Sequence, residues 1–177
     1  GGNHLAFRSC QQAWTFGAEF LFFREAVGLE LKDDWHHLTL SDGTIVRSRT
    51  TVVATGVDYR RLGIPELEAL IGRGVFYGAA TTEAPAMTGR SVFVVGGGNS
   101  AGQAALHLAK YARNVTLLVR RPTLAASMSE YLIEQLNSTR NVEIVHRAEV
   151  VGGSEANDVL AELVISHLDA GTTERVE

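Results

Sequence analysis

The run Ser91-Val92-Phe93-Val94-Val95-Gly96-Gly97-Gly98-Asn99-Ser100-Ala101 is followed by an alanine- and leucine-rich stretch, then by Val115–Val119 and Arg120-Arg121. No other feature constrains the fold of this chain as tightly. It reads as strand, glycine turn, helix, strand and two cations, the order a nucleotide-binding βαβ unit requires. Ser91–Val95 is a short apolar run rich in β-branched and aromatic residues, as a strand is. Gly96 permits a tight turn, and Gly98 lets backbone N–H groups approach a pyrophosphate. Ala101 fills the third small-residue position, where helix and strand pack closely. Gly97, Asn99 and Ser100 complete the loop. The helix N-terminus adds unpaired donors and partial positive charge for the phosphates.

The helix is legible from its spacing. Ala101, Ala104, Ala105, Leu108, Ala109 and Ala112 recur at i, i+3, i+4, i+7, i+8 and i+11, a stripe suited to packing on a sheet. Beyond Val119 the chain offers Arg120 and Arg121 at the position that reads the adenosine ribose. A carboxylate there would bind the 2′-hydroxyl of NAD, whereas a guanidinium suits a 2′-phosphate. The residues therefore favour NADPH over NADH. The plainer alternatives are a solvated strand end for the arginines and a turn that binds nothing for the glycines.

With 177 residues, the chain has room for one medium domain or parts of two. Apolar content of 45%, charged content of 20% and a net charge of −4 fit a soluble protein with no nucleic-acid partner. No apolar run is long enough to span a bilayer, so neither a membrane partner nor a membrane location is expected, and the composition suits the cytoplasm. One cysteine, Cys10, rules out an internal disulfide framework, and its helical setting with Leu5, Phe7 and Ala13 predicts a buried thiol. The six histidines give no metal spacing: His36 and His37 are adjacent in a strand-like segment and point to opposite faces, and the others are scattered.

Along the chain, Leu5–Ala18 predicts a helix and Glu19–Phe23 a strand. From Val27 to Ala54 the period changes to two, with Asp42-Gly43 as a hairpin turn and Thr44–Arg49 as the returning strand, a small antiparallel meander. It leads into the β-rich run Thr50–Ala54, which stops at Thr55-Gly56. Tyr59–Pro65 is a connector, Glu66–Ile71 a short helix and Val75–Tyr77 a short strand. After the glycine unit, Ser127 to Glu130 has capping-box spacing and predicts a helix from about Met128 to Asn137. Val142–Val145 is a third apolar strand. Ala148–Gly153 and Val159–Leu168 read as hairpin strands joined by the turn-rich Gly152–Asp158, and Thr172–Glu177 is a charged strand. The amino-terminal segment reads as the second half of a larger unit, so a fragment is expected.

This order resembles the thioredoxin reductase family of two-domain pyridine nucleotide flavoproteins. The resemblance rests on Val53-Ala54-Thr55-Gly56, Gly72-Arg73-Gly74-Val75-Phe76-Tyr77, Val94–Ala101 and Val119-Arg120-Arg121, with Gln12 through Glu19 upstream. It implies an α/β fold: a Rossmann-like NAD(P)-binding domain with part of a second, FAD-binding Rossmann-like domain that includes the antiparallel β-meander. Residues 1–62 would be the second half of the first FAD segment, and residues 63–177 a nearly complete NADPH-binding domain. Ala54, Thr55 and Gly56 would line the flavin nucleotide, Asn99, Ser100 and Ala101 the NADPH pyrophosphate, and Arg120 and Arg121 would hold the 2′-phosphate.

The chain also departs from that pattern. Where the redox-active Cys-x-x-Cys should follow Tyr77, it has Gly78-Ala79-Ala80-Thr81, which rules out the family's usual disulfide reduction. Ala125 stands where a third arginine often follows. The sequence is similar to a subgroup lacking the dithiol, some of whose members are fused to regulatory domains. The implied function is the NADPH-binding portion of an FAD-dependent oxidoreductase, passing hydride from NADPH to FAD and on to an unknown acceptor, with no catalytic side chain named. FAD would be held only in the full-length parent, and the chain alone is expected to be inactive. Two readings stay open beside it: a ferredoxin- or flavodoxin-NADP reductase-like enzyme, and a non-catalytic nucleotide-sensing module joined to a regulatory domain. Exposed sheet edges make a homodimer an expected partner.

Overall fold

A computed structural model describes residues 2–78 and 83–177, without the side chains of residues 2 and 3. The chain divides into two compact units, Gly1–Val57 and Asp58–Glu177. No helix among the described residues is long and apolar enough to cross a membrane.

In the first unit, α1 (Gly2–Thr15) precedes an antiparallel sheet of β1 (Ala26–Lys32), β2 (Trp35–Leu40) and β3 (Ile45–Ser48), in the order β1-β2-β3. Asp33 and Asp34 form the first turn with φ of 51° and 61°, the left-handed pair a two-residue hairpin needs. Asp42-Gly43 makes the second turn as expected, with the Thr44 N–H donating to Asp42 Oδ1 at 3.0 Å.

Three expectations fail in this unit. Glu19–Phe23 is not a strand; Phe20 and Phe22 stack at 5.5 Å, and Phe23 sits at φ 60°, outside extended backbone. Thr50–Ala54 is not a strand either. A strand exists only as part of a ladder, and no described strand lies beside this run. Thr51 instead bonds to β2 and β3 through its side chain, Oγ1 lying 2.9 Å from His36 Nδ1 and 3.0 Å from Ser48 Oγ. Cys10 is exposed, because the apolar stripe of α1 is uncovered, with Leu5 and Phe7 also exposed.

The second unit has three layers. A parallel sheet of β4 (Ser91–Val95), β5 (Asn114–Val119) and β6 (Val142–His146), in the order β4-β5-β6, lies at its centre. One face carries α3 (Asn99–Leu108) and α4 (Glu130–Ser138). The other carries an antiparallel sheet of β7 (Ala148–Ala156), β8 (Val159–His167) and β9 (Thr172–Val176), together with the single turn of α2 (Pro65–Glu68). Strand β5 shows why both faces are covered. Val115, Leu117 and Val119 enter the core with Ala105, Leu108, Leu132 and Leu136, while Leu118 enters a second core with Leu67, Ala148, Val150 and Ile165. Alternation puts successive side chains on opposite faces, and apolar residues on both make a doubly buried parallel strand.

Several boundaries move for identifiable reasons. Helix α3 ends at Leu108, not Ala112, because Asn141 Nδ2 donates to the Ala109 and Ala112 carbonyls at 2.8 and 3.2 Å. Helix α2 stops after one turn where the chain reverses through Gly72 and Gly74, at φ 80° and 115°. Val75–Tyr77 is not a strand; only Val75 pairs, in a single bridge with Ile71. The β7–β8 turn is the two-residue Asn157-Asp158, at φ 55° and 65°, so β7 runs on through Ala156. The predicted capping box at Ser127 is absent: α4 begins at Glu130 behind Ser129, with no side-chain cap.

The connector preceding α2 is tied to the second unit. Tyr77 Oη donates to Glu68 Oε1 at 2.6 Å and accepts from the Leu62 N–H at 2.9 Å, and the Gly63 N–H donates to Glu68 Oε1 at 3.2 Å. The Tyr77 hydroxyl, then the Gly63 N–H and Arg61, hold the Glu68 carboxyl below its ordinary value of 4.5 against the opposing effect of burial. A depressed carboxylate pKa contributes stability above the unfolded value, and that contribution is lost as pH falls through the folded value. Hydrogen exchange at the Leu62 and Gly63 amides is therefore expected to lose protection in acid, below about pH 4.5. Glu68→Gln, which cannot ionise, should remove that pH dependence; protection that persists unchanged into strong acid in the native sequence would refute the clip.

Candidate dinucleotide site

The glycine turn joins the carboxyl end of β4 to the amino end of α3. The Gly96 N–H donates to the Leu118 carbonyl at 3.1 Å, continuing the β4–β5 ladder one step past Val95. Gly96 then turns at φ 147°, and a Cβ placed there would lie 3.1 Å from Ala101 Cβ. Both observations demand glycine at this corner and a small residue at 101.

Gly98 differs in kind. Its backbone is extended, at φ −99° and ψ 175°, and it stands as the residue before the helix, without a side-chain cap. A Cβ on Gly98 would meet only the Ser127 carbonyl, at 3.8 Å, so the protein itself leaves room for a side chain there. The Ala101 and Gly102 N–H groups donate to the Gly98 carbonyl at 3.0 and 3.1 Å. The amides of Gly97, Gly98, Asn99 and Ser100 donate to no acceptor among the described residues. Among the described residues these four donors are free, around a residue that needs no glycine for its own packing, the setting in which a helix N-terminus can accept an anion.

Arg120 and Arg121 follow β5 directly, next to the β4 carboxyl end, because Val95 pairs with Leu118 in the parallel ladder. Both are exposed, and neither guanidinium pairs with a carboxylate among the described residues. The unit thus presents helix-end amides and two cations at the carboxyl edge of one parallel sheet, where such folds bind ligands.

Sequence reasoning missed the loop between β5 and α4. Ser127 Oγ donates to the Gly97 carbonyl at 2.7 Å, and Asn99 Oδ1 accepts from the Ser129 N–H at 2.8 Å and from Ser129 Oγ at 3.2 Å. The Asn99 carboxamide oxygen is therefore engaged by protein, while its Nδ2 and its backbone N–H have no acceptor among the described residues. Beneath the loop Leu124 and Met128 are buried, and a Cβ on Gly102 would stand 2.9 Å from the end of Met128. These partners lie 30 residues apart in sequence, beyond the reach of any local pattern.

The pattern over residues 11–176 matches the family described as pyridine nucleotide-disulphide oxidoreductase. The chain belongs to that family.

Two curated relatives and one solved structure are similar to this member of the family. A thioredoxin reductase from Streptomyces clavuligerus is 40% identical over 116 residues, covering 66% of this chain and 35% of that protein. An NADH dehydrogenase from Ferdinandcohnia aciditolerans is 34% identical over 176 residues, covering 98% of this chain and 32% of that protein. The chain thus spans about a third of the length of these curated relatives. The thioredoxin reductase from Giardia duodenalis superposes with a TM-score of 0.76 at 24% identity, over 99% of this chain and 56% of that one, a likeness of fold. In sequence the chain is similar to thioredoxin reductases, and its α/β, Rossmann-like architecture agrees with the sequence expectation.

The remaining expected site residues belong to the other unit. Ala54, Thr55 and Gly56 lie exposed in a segment without regular structure, and Gly56 has φ 82° with nothing within 4 Å of where a Cβ would stand. Among the described residues they form no enclosed cradle for a flavin. The residues that stand where the family's dithiol would follow Tyr77 fall, from Ala79 on, outside the described residues.

Proposed function

We propose that this chain is the NADPH-binding portion of a thioredoxin reductase-like, FAD-dependent oxidoreductase. The observation that carries the proposal is the conjunction of four unsatisfied amides around Gly98 with two unpaired guanidinium groups at the end of the neighbouring strand. The family implies a flavin and a pyridine nucleotide, whose chemistry when bound is hydride transfer. The chain's own part is to bind and orient. The Gly97–Ser100 amides would hold the diphosphate through charge-assisted hydrogen bonds, and Arg120 and Arg121 would hold the adenosine 2′-phosphate. The third arginine is replaced by Ala125, so two cations carry the distinction between NADPH and NADH. With Gly78-Ala79-Ala80-Thr81 at the dithiol position and Cys10 the one cysteine of the chain, the acceptor is assigned to something other than an internal disulfide at that position.

Calorimetric titration of the 177-residue chain with NADPH tests the binding step directly. One saturable site is expected, with NADH binding more weakly. No saturable heat from a chain that keeps its circular dichroism would sink the proposal; equal affinity for the two nucleotides would sink the assignment of the arginines.

A further inference from the structure

The loop that carries the two arginines is fastened to the glycine turn by three hydrogen bonds, and none of its fastening side chains belongs to the ligand cradle. Ser127 Oγ reaches the Gly97 carbonyl at 2.7 Å, and the Ser129 N–H and Oγ reach Asn99 Oδ1 at 2.8 and 3.2 Å. Leu124, 3% exposed, and Met128, 5% exposed, anchor the same loop from below in the core that contains Ala105 and Leu136. On its other side the loop is held at Arg121, whose carbonyl accepts from the Arg147 N–H at 3.3 Å. The segment 120–129 is therefore pinned at both ends, and one of those ends is the phosphate-binding turn itself.

We infer that Ser127 and Asn99 are positioning residues for nucleotide specificity: the β4–β5 ladder sets the backbone of Arg120-Arg121, and the bonds of Ser127 and Asn99 hold the segment that follows the arginines against the glycine turn. The inference rests on the NADPH reading of the site and extends it to the side-chain bonds of Ser127 and of Asn99 Oδ1. Two groups on one nucleotide, the diphosphate and the 2′-phosphate, must be met at once. A ligand with a fixed span gains from both contacts only if the protein holds the same span in advance. Without the latch, the diphosphate contacts survive, while the segment next to the arginine side chains is no longer held and their guanidinium groups meet the 2′-phosphate less well. A nucleotide lacking the 2′-phosphate makes no demand on that segment. The expected signature is thus a change in discrimination, with little general loss of binding.

The bonds also account for residue types the glycine motif alone leaves open. Asn99 sits at the first helical position, where its backbone N–H is free for a ligand and its side chain is free to accept from another loop. Ser127 is exposed, yet its hydroxyl satisfies the carbonyl of the central glycine. Through these bonds both side chains act across the turn.

The test compares dissociation constants of the native chain, Ser127→Ala, Ser127→Thr and the double variant Asn99→Ala Ser127→Ala for NADPH and NADH by calorimetry. The quantity read is the ratio of the NADH constant to the NADPH constant. In Ser127→Ala it is expected to fall about threefold to fivefold, what one ordinary hydrogen bond supports, and Ser127→Thr should restore it. In the double variant, with all three bonds gone, a fall of about tenfold or more is expected. A native ratio in either alanine variant, with the thermal midpoint preserved, overturns the inference. So does a uniform loss for both nucleotides, which would mark the latch as a support for the turn alone. Failure of the native chain to bind NADPH at all is a different result: it removes the underlying site reading, and the inference falls with it.

Discussion

Replacing Arg120 and Arg121 together with alanine is expected to weaken NADPH binding by about 3 kcal/mol, roughly a hundredfold, and to leave NADH affinity nearly unchanged. A hydrogen bond to a charged group contributes about 1.5–3 kcal/mol, and the lower figure applies to each arginine because both side chains are exposed and screened by salt. Neither arginine holds a carboxylate among the described residues, so no internal ion pair is broken and folding stability should not move. The same exposure makes a second signature: in the native chain NADPH affinity should fall with ionic strength more steeply than NADH affinity. Paired calorimetric titrations at two salt concentrations give both readouts. Equal losses for the two nucleotides would remove the 2′-phosphate from these residues.

Gly98→Ala is expected to separate binding from folding. At this residue φ is −99°, which any side chain tolerates, and the nearest atom to an added Cβ is the Ser127 carbonyl at 3.8 Å, an ordinary contact. The thermal midpoint should therefore stay within a degree or two of the native value, or rise slightly as the unfolded chain loses freedom. A methyl group placed where a diphosphate packs on the backbone forces the ligand outward and lengthens its bonds to four amides. Strain of about 1–3 kcal/mol is the usual consequence of one methylene too many, so NADPH affinity should drop roughly tenfold to a hundredfold. NADH should lose as much, since both nucleotides carry the diphosphate. Gly96→Ala provides the contrast. There φ is 147° and the added Cβ would stand 3.1 Å from Ala101 Cβ, so the chain should lose thermal stability as well as ligand. Were Gly98→Ala to melt early and bind normally, the cradle would be a structural turn and nothing more.

The contrast between the two glycines is one the motif itself anticipates. In sequence the motif already gives Gly96 the tight turn and Gly98 the open approach; the structure adds which atoms stand opposite each of them. One of those atoms belongs to Ser127, which is 29 residues from Gly98. The same reasoning covers the mistaken strands. Glu19–Phe23 and Thr50–Ala54 have the composition of strands, but extended pairing needs a neighbour, and composition carries no information about whether one is present. Cys10 fits an apolar stripe, yet burial requires something to lie over the stripe. At Ser127 the local signal was a capping box, and a more distant acceptor, the Gly97 carbonyl, took the hydroxyl instead.

The sequence by itself determined the βαβ unit, the hairpin at Asp42-Gly43 and the placement of two arginines at the end of the strand that follows the glycine turn and its helix. These are features of short range: alternation, helical spacing and turn chemistry act between residues a few positions apart, where the chain's own connectivity enforces them. Only the tertiary structure decided which amides stay free among the described residues, which glycine has room for a side chain, and that the arginine loop is fastened to the glycine turn by Ser127, Ser129 and Asn99. Those bonds join residues brought together by the closing of a parallel sheet and its helices, and the energy that selects them exists only once the two cores on either face of β5 have formed.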